Sequence, residues 1–398
     1  MNILKRTYYI ALFLSVFLFA CQSSNDRVTA KPNFPAPPVD MGAIKLTYTD
    51  TNSAEWKLIA HRLDSFYAIQ ARAGFNGSVL IGYKGKVLYE KYVGYSNRSM
   101  GVPLSPDNAV QLASVSKTFT GAAVLYLHQN KYIDIDKPVN EYLKSFPYPD
   151  ITVRMLLCHR SGLSNYWNWL PKYYKSSAPI YNDQVMELMA KHKPAVEFRA
   201  NSRFKYCNSN YLVLASLIEE VTEMSFSDFL SNYIFKPLGM THSFVYDPAK
   251  GLPANATVSY QGGYTPFPND YRDGVYGDKG IYSTVEDMYR WDQSFYQNKF
   301  LSNETLELAY GPCSFERPGV KNYGLGWRMM CYPDGYKIIY HNGWWHGNNT
   351  CFYRFIKDNF TIIVLGNKLS NGIYRQPPVL YSIVKSTDTV SGFDDGAE

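Results

Sequence analysis

Nowhere in its 398 residues does the chain carry Gly-x-Ser-x-Gly, His-Glu-x-x-His or Cys-x-x-Cys. The first absence sets aside the nucleophile elbow of an α/β-hydrolase, and the other two set aside a zincin centre and a dithiol or zinc-binding pair. The seven histidines fall into no ligand spacing, so no metal or other cofactor is expected. Charge is also sparse. Charged residues make up 19% of the chain, and the formal net charge of +6 drops by two, to +4, when Lys5 and Arg6 are set aside. A balance so weak and so dispersed does not call for a nucleic-acid partner. With 46% hydrophobic residues the chain can bury a large core as one sizeable domain.

The first segment has its own chemistry. Lys5-Arg6 precede an apolar run from Tyr8 to Ala20, too short for a bilayer span and of the right length for a signal-peptide core. It ends in Leu18-Phe19-Ala20-Cys21, which resembles a bacterial lipobox despite the bulky Phe19. Residues 1–20 are therefore read as a signal peptide and Cys21 as the lipidated first residue of the mature protein. Residues 21–52, rich in Pro (Pro32, Pro35, Pro37, Pro38), are read as a tether to the membrane. That places the chain in the bacterial cell envelope, facing the periplasm or exterior. Five cysteines follow Cys21, an odd number, so in an oxidising compartment at least one stays unpaired within the chain. Cys207 is read as a small packing residue.

Three short motifs then occur in order: Ser114-Val115-Ser116-Lys117, Tyr206-Cys207-Asn208 and His341-Asn342-Gly343. Ser-x-x-Lys recurs at Ser202/Lys205 and at Ser382/Lys385, so position must choose among them. Ser114 follows a polar loop and opens the apolar stretch Phe119, Ala122, Ala123, Leu125, Leu127, which predicts a buried helix. At such a helix start the Ser hydroxyl lies near backbone N–H groups, and a Lys three residues on shares its face. Ser202 sits in a polar run, and Ser382 lies near the C-terminus with no later motif to partner it.

Neighbouring segments add to this: Gly77-Ser78-Val79-Leu80-Ile81 with the Lys84-Gly85 turn, Ile151 to Leu157 running into His159-Arg160-Ser161-Gly162-Leu163, and Pro237-Leu238-Gly239-Met240. Gly280-Ile281-Tyr282-Ser283-Thr284 and Tyr323-Gly324-Leu325-Gly326-Trp327 follow. Together with the three motifs they resemble the β-lactamase-related serine hydrolases, a family that includes class C β-lactamases, DD-carboxypeptidases and several esterases. The resemblance runs from about residue 53 to 385.

The fold expected is α/β and β-lactamase/transpeptidase-like: an antiparallel sheet built from both chain ends with flanking helices, plus a large, mostly helical insertion. A single hydrolase domain over 53–390 would divide into an α/β part (53–134 and 273–390) and the insertion (135–272). Helices are predicted over 53–73, with Trp56, Ile59, Leu63, Phe66 and Ile69 on one face, over Gln184 to His192, over Tyr211 to Glu223, and from a Ser283-x-x-Glu286 capping box. Strands are predicted at Leu325–Met330, Tyr336–His341, Thr350–Ile356 and Phe360–Leu365.

Ser114 would attack a carbonyl and form an acyl-enzyme, with Lys117 or Tyr206 as the base; either would need its pKa moved toward neutral, at about 4 kcal/mol. The choice between them stays open. Asn208 would orient a substrate amide or Lys117, and Gly343 would let a strand approach the substrate closely. The resemblance implies an oxyanion hole from the backbone N–H groups of Ser114 and Trp344. His341 stands where many relatives have Lys and is expected to bind substrate; were it cationic, it could replace part of a carboxylate handle. Trp344 stands where relatives that hydrolyse β-lactams have a small or hydroxylated residue, which argues for a small-molecule ester or peptide substrate rather than a β-lactam. His159 is expected to be structural. The rival reading is a catalytically silent module that binds cell-wall or glycan ligands.

Overall fold

The computed structural model describes residues 34–35 and 42–386. The signal peptide, Cys21 and most of the 21–52 tether lie outside them. Residues 42–52, expected as part of that tether, pack on the body: Ile44 is buried and its N–H donates to Leu238 O at 3.1 Å, while Thr49 N donates to Val87 O at 2.9 Å and Val87 N to Thr47 O at 2.7 Å.

The chain begins with α1 (Ala54–Arg72), the hairpin β1 (Gly77–Tyr83) and β2 (Lys86–Val93), and short strands β3 (Tyr95–Asn97), β4 (Val102–Pro103) and β5 (Val110–Gln111). A 3-10 turn, Ala113–Ser116, runs into α2 (Lys117–Gln129). The middle is mostly helical: α3 (Val153–Leu157), α4 (Tyr166–Tyr173), α5 (Asn182–His192), α6 (Asn208–Thr222), α7 (Phe226–Leu230) and α8 (Lys236–Leu238), closed by β6 (Phe244–Val245). The chain returns through β7 (Ile281–Ser283), α9 (Val285–Tyr296) and α10 (Asn303–Ala309) to β8 (Lys321–Tyr323), β9 (Arg328–Cys331), β10 (Lys337–Trp345), β11 (Asn348–Phe355), β12 (Phe360–Gly366) and α11 (Gln376–Lys385). Among the described residues no helix is long and apolar enough to cross a membrane.

The main sheet runs β2-β1-β12-β11-β10-β9-β8, every pair antiparallel. β1 lies against β12 from Gly77↔Gly366 to Tyr83↔Phe360, so strands from the early and late parts of the chain pair within one sheet. β11 and β12 are buried along their whole length, which is why they read as continuous apolar runs rather than alternating ones. One face carries α1 and α11, whose Ile59, Leu63, Tyr67, Leu380 and Val384 join Val79, Ile81, Ile362 and Val364 in a single core. On the other face α9 lies so close that a Cβ at Gly82 would fall 2.1 Å from the Tyr289 ring.

The helices fall where periodicity predicts them, with local differences. Ile69 is exposed rather than part of the α1 face, because it sits six residues, about 240°, past Leu63; Tyr67, four residues on, takes the inward position. The cap of α9 is Thr284, which accepts from Asp287 N at 3.2 Å; Ser283 belongs to β7, and its hydroxyl bonds Ser243. Leu325–Met330 is a turn followed by β9, since Gly326 takes φ +94° to pack on Gly121 of α2.

α9 and the sheet are joined by an ion pair out of water. Arg354 Nε donates to Asp292 Oδ1 at 2.6 Å with both side chains essentially unexposed, and Thr361 and Gln293 donate to Asp292 Oδ2, each at 2.8 Å. Removing one partner of such a pair strands the other charge. Asp292→Ala is expected to lower the unfolding free energy by about 3–5 kcal/mol in urea titration. Lys91→Ala, which breaks the half-exposed pair with Asp64, should cost under about 1 kcal/mol.

Candidate active site

Ser114 follows a backbone bend. Ala113 has φ +49°, a left-handed conformation that costs a residue with a Cβ about 1–2 kcal/mol. Two bonds to Leu112 hold the bend: its carbonyl accepts from Thr350 Oγ1 at 2.7 Å, and its N–H donates to Ile281 O at 2.8 Å. The bend sends the chain through a 3-10 turn into α2, so Ser114 and Lys117 sit one turn apart. Lys117 is fully buried, and its Nζ donates to Ser114 Oγ at 3.0 Å and to Asp278 O at 2.8 Å. Its neighbours fix the same segment: Ser116 Oγ accepts from Ile281 N at 3.2 Å, and Thr120 Oγ1 donates to Gly277 O at 2.8 Å.

Tyr206 ends the segment before α6. Its ring centroid lies 5.0 Å from Lys117 Nζ, 5.1 Å from Arg328 Cζ and 4.3 Å from the His159 ring. Asn208, the first residue of α6, lines the same cavity; its side-chain oxygen is buried with no protein hydrogen-bond partner, an acceptor open to a substrate N–H. From the sheet side comes Gly343. A Cβ there would fall 2.3 Å from Leu112 O and 3.0 Å from Ser114 N, so only glycine lets β10 press against the Ser114 turn. Trp344 follows, 57% exposed, with its ring on the cavity wall.

His341 departs from expectation. It is fully buried and does not line the cavity; Nε2 lies 3.2 Å from Tyr323 OH and Nδ1 2.7 Å from Asn342 O. Tyr323 OH in turn lies 3.2 Å from His159 Nε2. The hydrogens in this chain can be placed from its ends. The Cys207 N–H can only donate, so His159 Nδ1 accepts it at 3.1 Å, and Nε2 carries the proton given to Tyr323. Tyr323 then donates to His341 Nε2, and His341 Nδ1–H donates to the Asn342 carbonyl. Both rings are neutral: burial pushes both pKa values well below the ordinary imidazole value, reinforced at His159 by Lys117 and at His341 first by Arg328 and then Lys117. A cationic His341 is therefore excluded, because a third positive charge beside Lys117 and Arg328 would have no solvent and no carboxylate to offset it. His159 has the structural part expected of it, and Cys207 packs with its thiol on Leu163 O at 3.2 Å.

Several lining residues carry no local sequence signal. Asp278 and Lys279 lie in the cavity wall; Tyr166 OH donates to Asp278 Oδ2 at 3.0 Å, and Lys279 Nζ donates to the carbonyls of Arg272 and Val275 at 2.8 and 2.7 Å. Burial lowers the Lys279 pKa. Trp345 lines the cavity while its Nε1 donates to Asp273 Oδ1 at 2.8 Å, a carboxylate that also holds His346. The whole cavity has a volume of about 930 Å³, with Ser114 in its lining and residues 314–323 forming one wall. Neither of the other Ser-x-x-Lys pairs brings its serine to the cavity, although Lys205 is in the lining. Ser202 is exposed and donates to Arg199 O, with Lys205 paired to Glu197; Ser382 donates to Pro378 O inside α11, with Lys385 paired to Asp358.

The structure thus brings together a buried Ser–Lys contact at the start of a helix, a Tyr beside the Lys and a glycine strand against the Ser, on a β-lactamase-like fold. Residues 60–377 match the family described as Beta-lactamase, and the chain belongs to that family as one of its serine hydrolases. It is 30% identical over 332 residues to penicillin-binding protein 4* of Bacillus subtilis (strain 168), covering 79% of this chain and 73% of that protein. It is 27% identical over 328 residues to a teichoic acid D-alanine hydrolase of Staphylococcus aureus, covering 78% and 75%. Among solved structures, a penicillin binding protein from Bacillus halodurans shares the fold with TM-score 0.70 at 20% identity, covering 80% of this chain and 97% of that one.

The neutral histidines have a consequence for stability. Unfolding returns each ring to an ordinary pKa of 6.5, so below that pH the unfolded chain takes up protons that the folded one does not. Their contribution is complete above about pH 7 and is lost as pH falls through 6.5 and below, at up to about 1.4 kcal/mol per pH unit for each ring. His341→Gln should therefore flatten the fall in unfolding free energy between pH 7 and pH 5 relative to wild type, as read by urea titration at stepped pH. An unchanged slope would mean that His341 titrates normally in the fold.

Proposed function

We propose that Ser114 is the nucleophile of an acyl-enzyme hydrolase acting on an ester or amide in the cell envelope, in the manner of a DD-carboxypeptidase or an esterase. The observation that carries this reading is the 3.0 Å contact between Lys117 Nζ and Ser114 Oγ on the floor of the cavity, since a serine hydroxyl attacks only when a neighbouring group takes its proton. Lys117 touches the hydroxyl and Tyr206 stands beside Lys117, so the two form one proton-transfer unit: whichever of the pair is deprotonated takes the Ser114 proton, and the pair passes it on to the leaving group. As Ser114 Oγ bonds to the substrate carbonyl carbon, charge develops on the carbonyl oxygen; the backbone N–H groups of Ser114 and Trp344 receive it. Expulsion of the amine or alcohol leaves an acyl-serine, which water hydrolyses by the reverse proton path.

The substrate class is supported by the lining. Lys205, Lys279, Arg317, Lys321 and Arg328 outnumber Asp278 and Glu316 in the lining, so the cleft attracts a molecule with a free carboxylate or phosphate. Asn208 Oδ1 offers an acceptor to its amide or amine. The relatives are named for penicillin binding and for removing D-alanine from teichoic acid, which supports a D-alanyl ester or peptide and an envelope location. Attachment there through lipid on Cys21 is part of the same proposal. Trp344, large and exposed where a β-lactam carboxylate would need a small hydroxylated residue, supports poor turnover of β-lactams.

A fluorophosphonate probe should label the wild type, and Ser114→Ala should abolish labelling and lower kcat/KM by about 10⁴-fold or more. Ser202→Ala and Ser382→Ala should change neither. Labelling that persists in Ser114→Ala would transfer the role elsewhere, and a wild type that never labels would support the silent binding module. Lys117→Ala, Tyr206→Phe and the double variant should cost similar amounts, whereas strict additivity would separate the two residues into independent roles.

On one preparation, an activated ester and a D-Ala-D-Ala peptide should be turned over faster than a chromogenic cephalosporin. A cephalosporin kcat/KM at or above about 10⁶ M⁻¹s⁻¹, with the others far slower, would make the chain a β-lactamase.

A further inference from the structure

Two of the cysteines are neighbours in space though distant in sequence. Cys158 caps the C-terminus of α3 and is buried; Cys313 is half exposed and stands immediately before the wall segment 314–323. Their side chains are in direct contact. The contact is framed on both sides. Arg160, two residues beyond Cys158, donates from Nη1 to the Cys313 carbonyl at 2.9 Å and also holds the Glu316 carboxylate. The Cys313 N–H is held by Tyr323 O at 2.8 Å and by Asn322 Oδ1 at 3.1 Å. The wall thus leaves and rejoins the fold at one place, and the two sulfurs meet there.

We propose that Cys158 and Cys313 form a disulfide under oxidising conditions, pinning the base of the cleft wall to the end of α3. The contact with Cys158 holds the Cys313 thiol below its ordinary pKa, helped by Arg154 and Arg160, while the same contact and burial push Cys158 up. Cys313 is also the partly exposed sulfur, within reach of an oxidant in solution, whereas Cys158 is buried, so Cys313 is the attacking thiol and Cys158 the resolving one. With a small-molecule disulfide as oxidant, the Cys313 thiolate attacks one of its sulfurs and expels one thiol, leaving a mixed disulfide on Cys313. Cys158 then loses its proton and attacks the Cys313 sulfur, expelling the second thiol. Two protein thiols give up two electrons and two protons, and one small disulfide becomes two thiols.

The link bears on the cleft through its surroundings. Residue 159, next to Cys158, is the histidine that bonds Tyr323 at the far end of the wall, and Arg317 and Lys321 within the wall face the cavity. Oxidation would fix the wall at its near end as the histidine fixes it at the far one. This holds whatever the substrate, so its failure and the failure of the hydrolase reading are separate results.

The purified full chain, incubated with excess oxidised glutathione, blocked with N-ethylmaleimide and digested, should yield a linked Cys158–Cys313 peptide in the mass spectrum. Cys207 should be recovered alkylated after denaturation. Because the bond closes a loop of about 155 residues, the oxidised protein should melt at least ~5 °C above the reduced one, and Cys158→Ser/Cys313→Ser should lose that difference. In Cys158→Ser alone, Cys313 should remain as the mixed glutathione disulfide. Recovery of both cysteines alkylated, a link to another cysteine, a melting temperature unmoved by oxidation, or no glutathione on Cys313 in Cys158→Ser would each overturn the proposal.

Discussion

Lys117 is wholly out of water, so its amino group has to be bonded by protein alone, and much of the cavity floor follows from how that is done. One bond goes to Ser114 within its own turn. Another goes across to the Asp278 carbonyl, and Ser116 and Thr120 on either side of Lys117 reach the same Gly277–Ile281 segment. The first turns of α2 are thereby fastened to the chain that enters β7. The Ser114 turn, with Ala113 in a strained conformation, is tolerable because it is fastened on its other side too, by Thr350 and Ile281 on Leu112.

Local spacing made part of this legible. Ser114 and Lys117 meet because three residues make one helical turn, and Gly343 stands out because a strand glycine marks a close approach. The main strands were readable from unbroken apolar runs that the sheet buries on both faces. The residues that escaped are those whose meaning is purely tertiary. Asp278 and Lys279 have no periodicity and no motif; they matter because α2 and α4 come to lie against them. Arg328 reads as an ordinary strand cation, yet β9 brings it to the Tyr206 ring. The place of His341 escaped for the same reason: the sequence shows a polar residue on a strand that could face substrate, and only the packing shows it buried with two cations nearby and no solvent.

The cysteines give the same lesson in another form. An odd count announces that one thiol stays unpaired but says nothing of which two meet. Cys158 and Cys313 are brought together because residues 311–323 turn back over the end of α3, with Arg160 bridging to both the Cys313 carbonyl and Glu316. Chain entropy makes such a distant contact costly to form and correspondingly valuable to lock.

The neutral histidines also explain how the site tolerates its cations. Around Tyr206 stand Lys117 and Arg328, and the groups packed on its ring, His159, Tyr323 and His341, carry no charge. Each of the three spends its hydrogens on the next, from the Cys207 N–H to the Asn342 carbonyl, so the wall is satisfied without a carboxylate. A carboxylate there would neutralise the cations at rest and leave nothing for the negative charge that an acyl transfer creates. Uncharged donors and acceptors keep the positive potential unspent, at the place where the tetrahedral oxygen and the departing group need it. On this reading the histidine in place of lysine on β10 does more than remove a substrate handle: it lowers the positive charge of a buried wall to what Lys117 and Arg328 supply, and it ties that wall to the same hydrogen-bonded chain that holds Tyr206 in place.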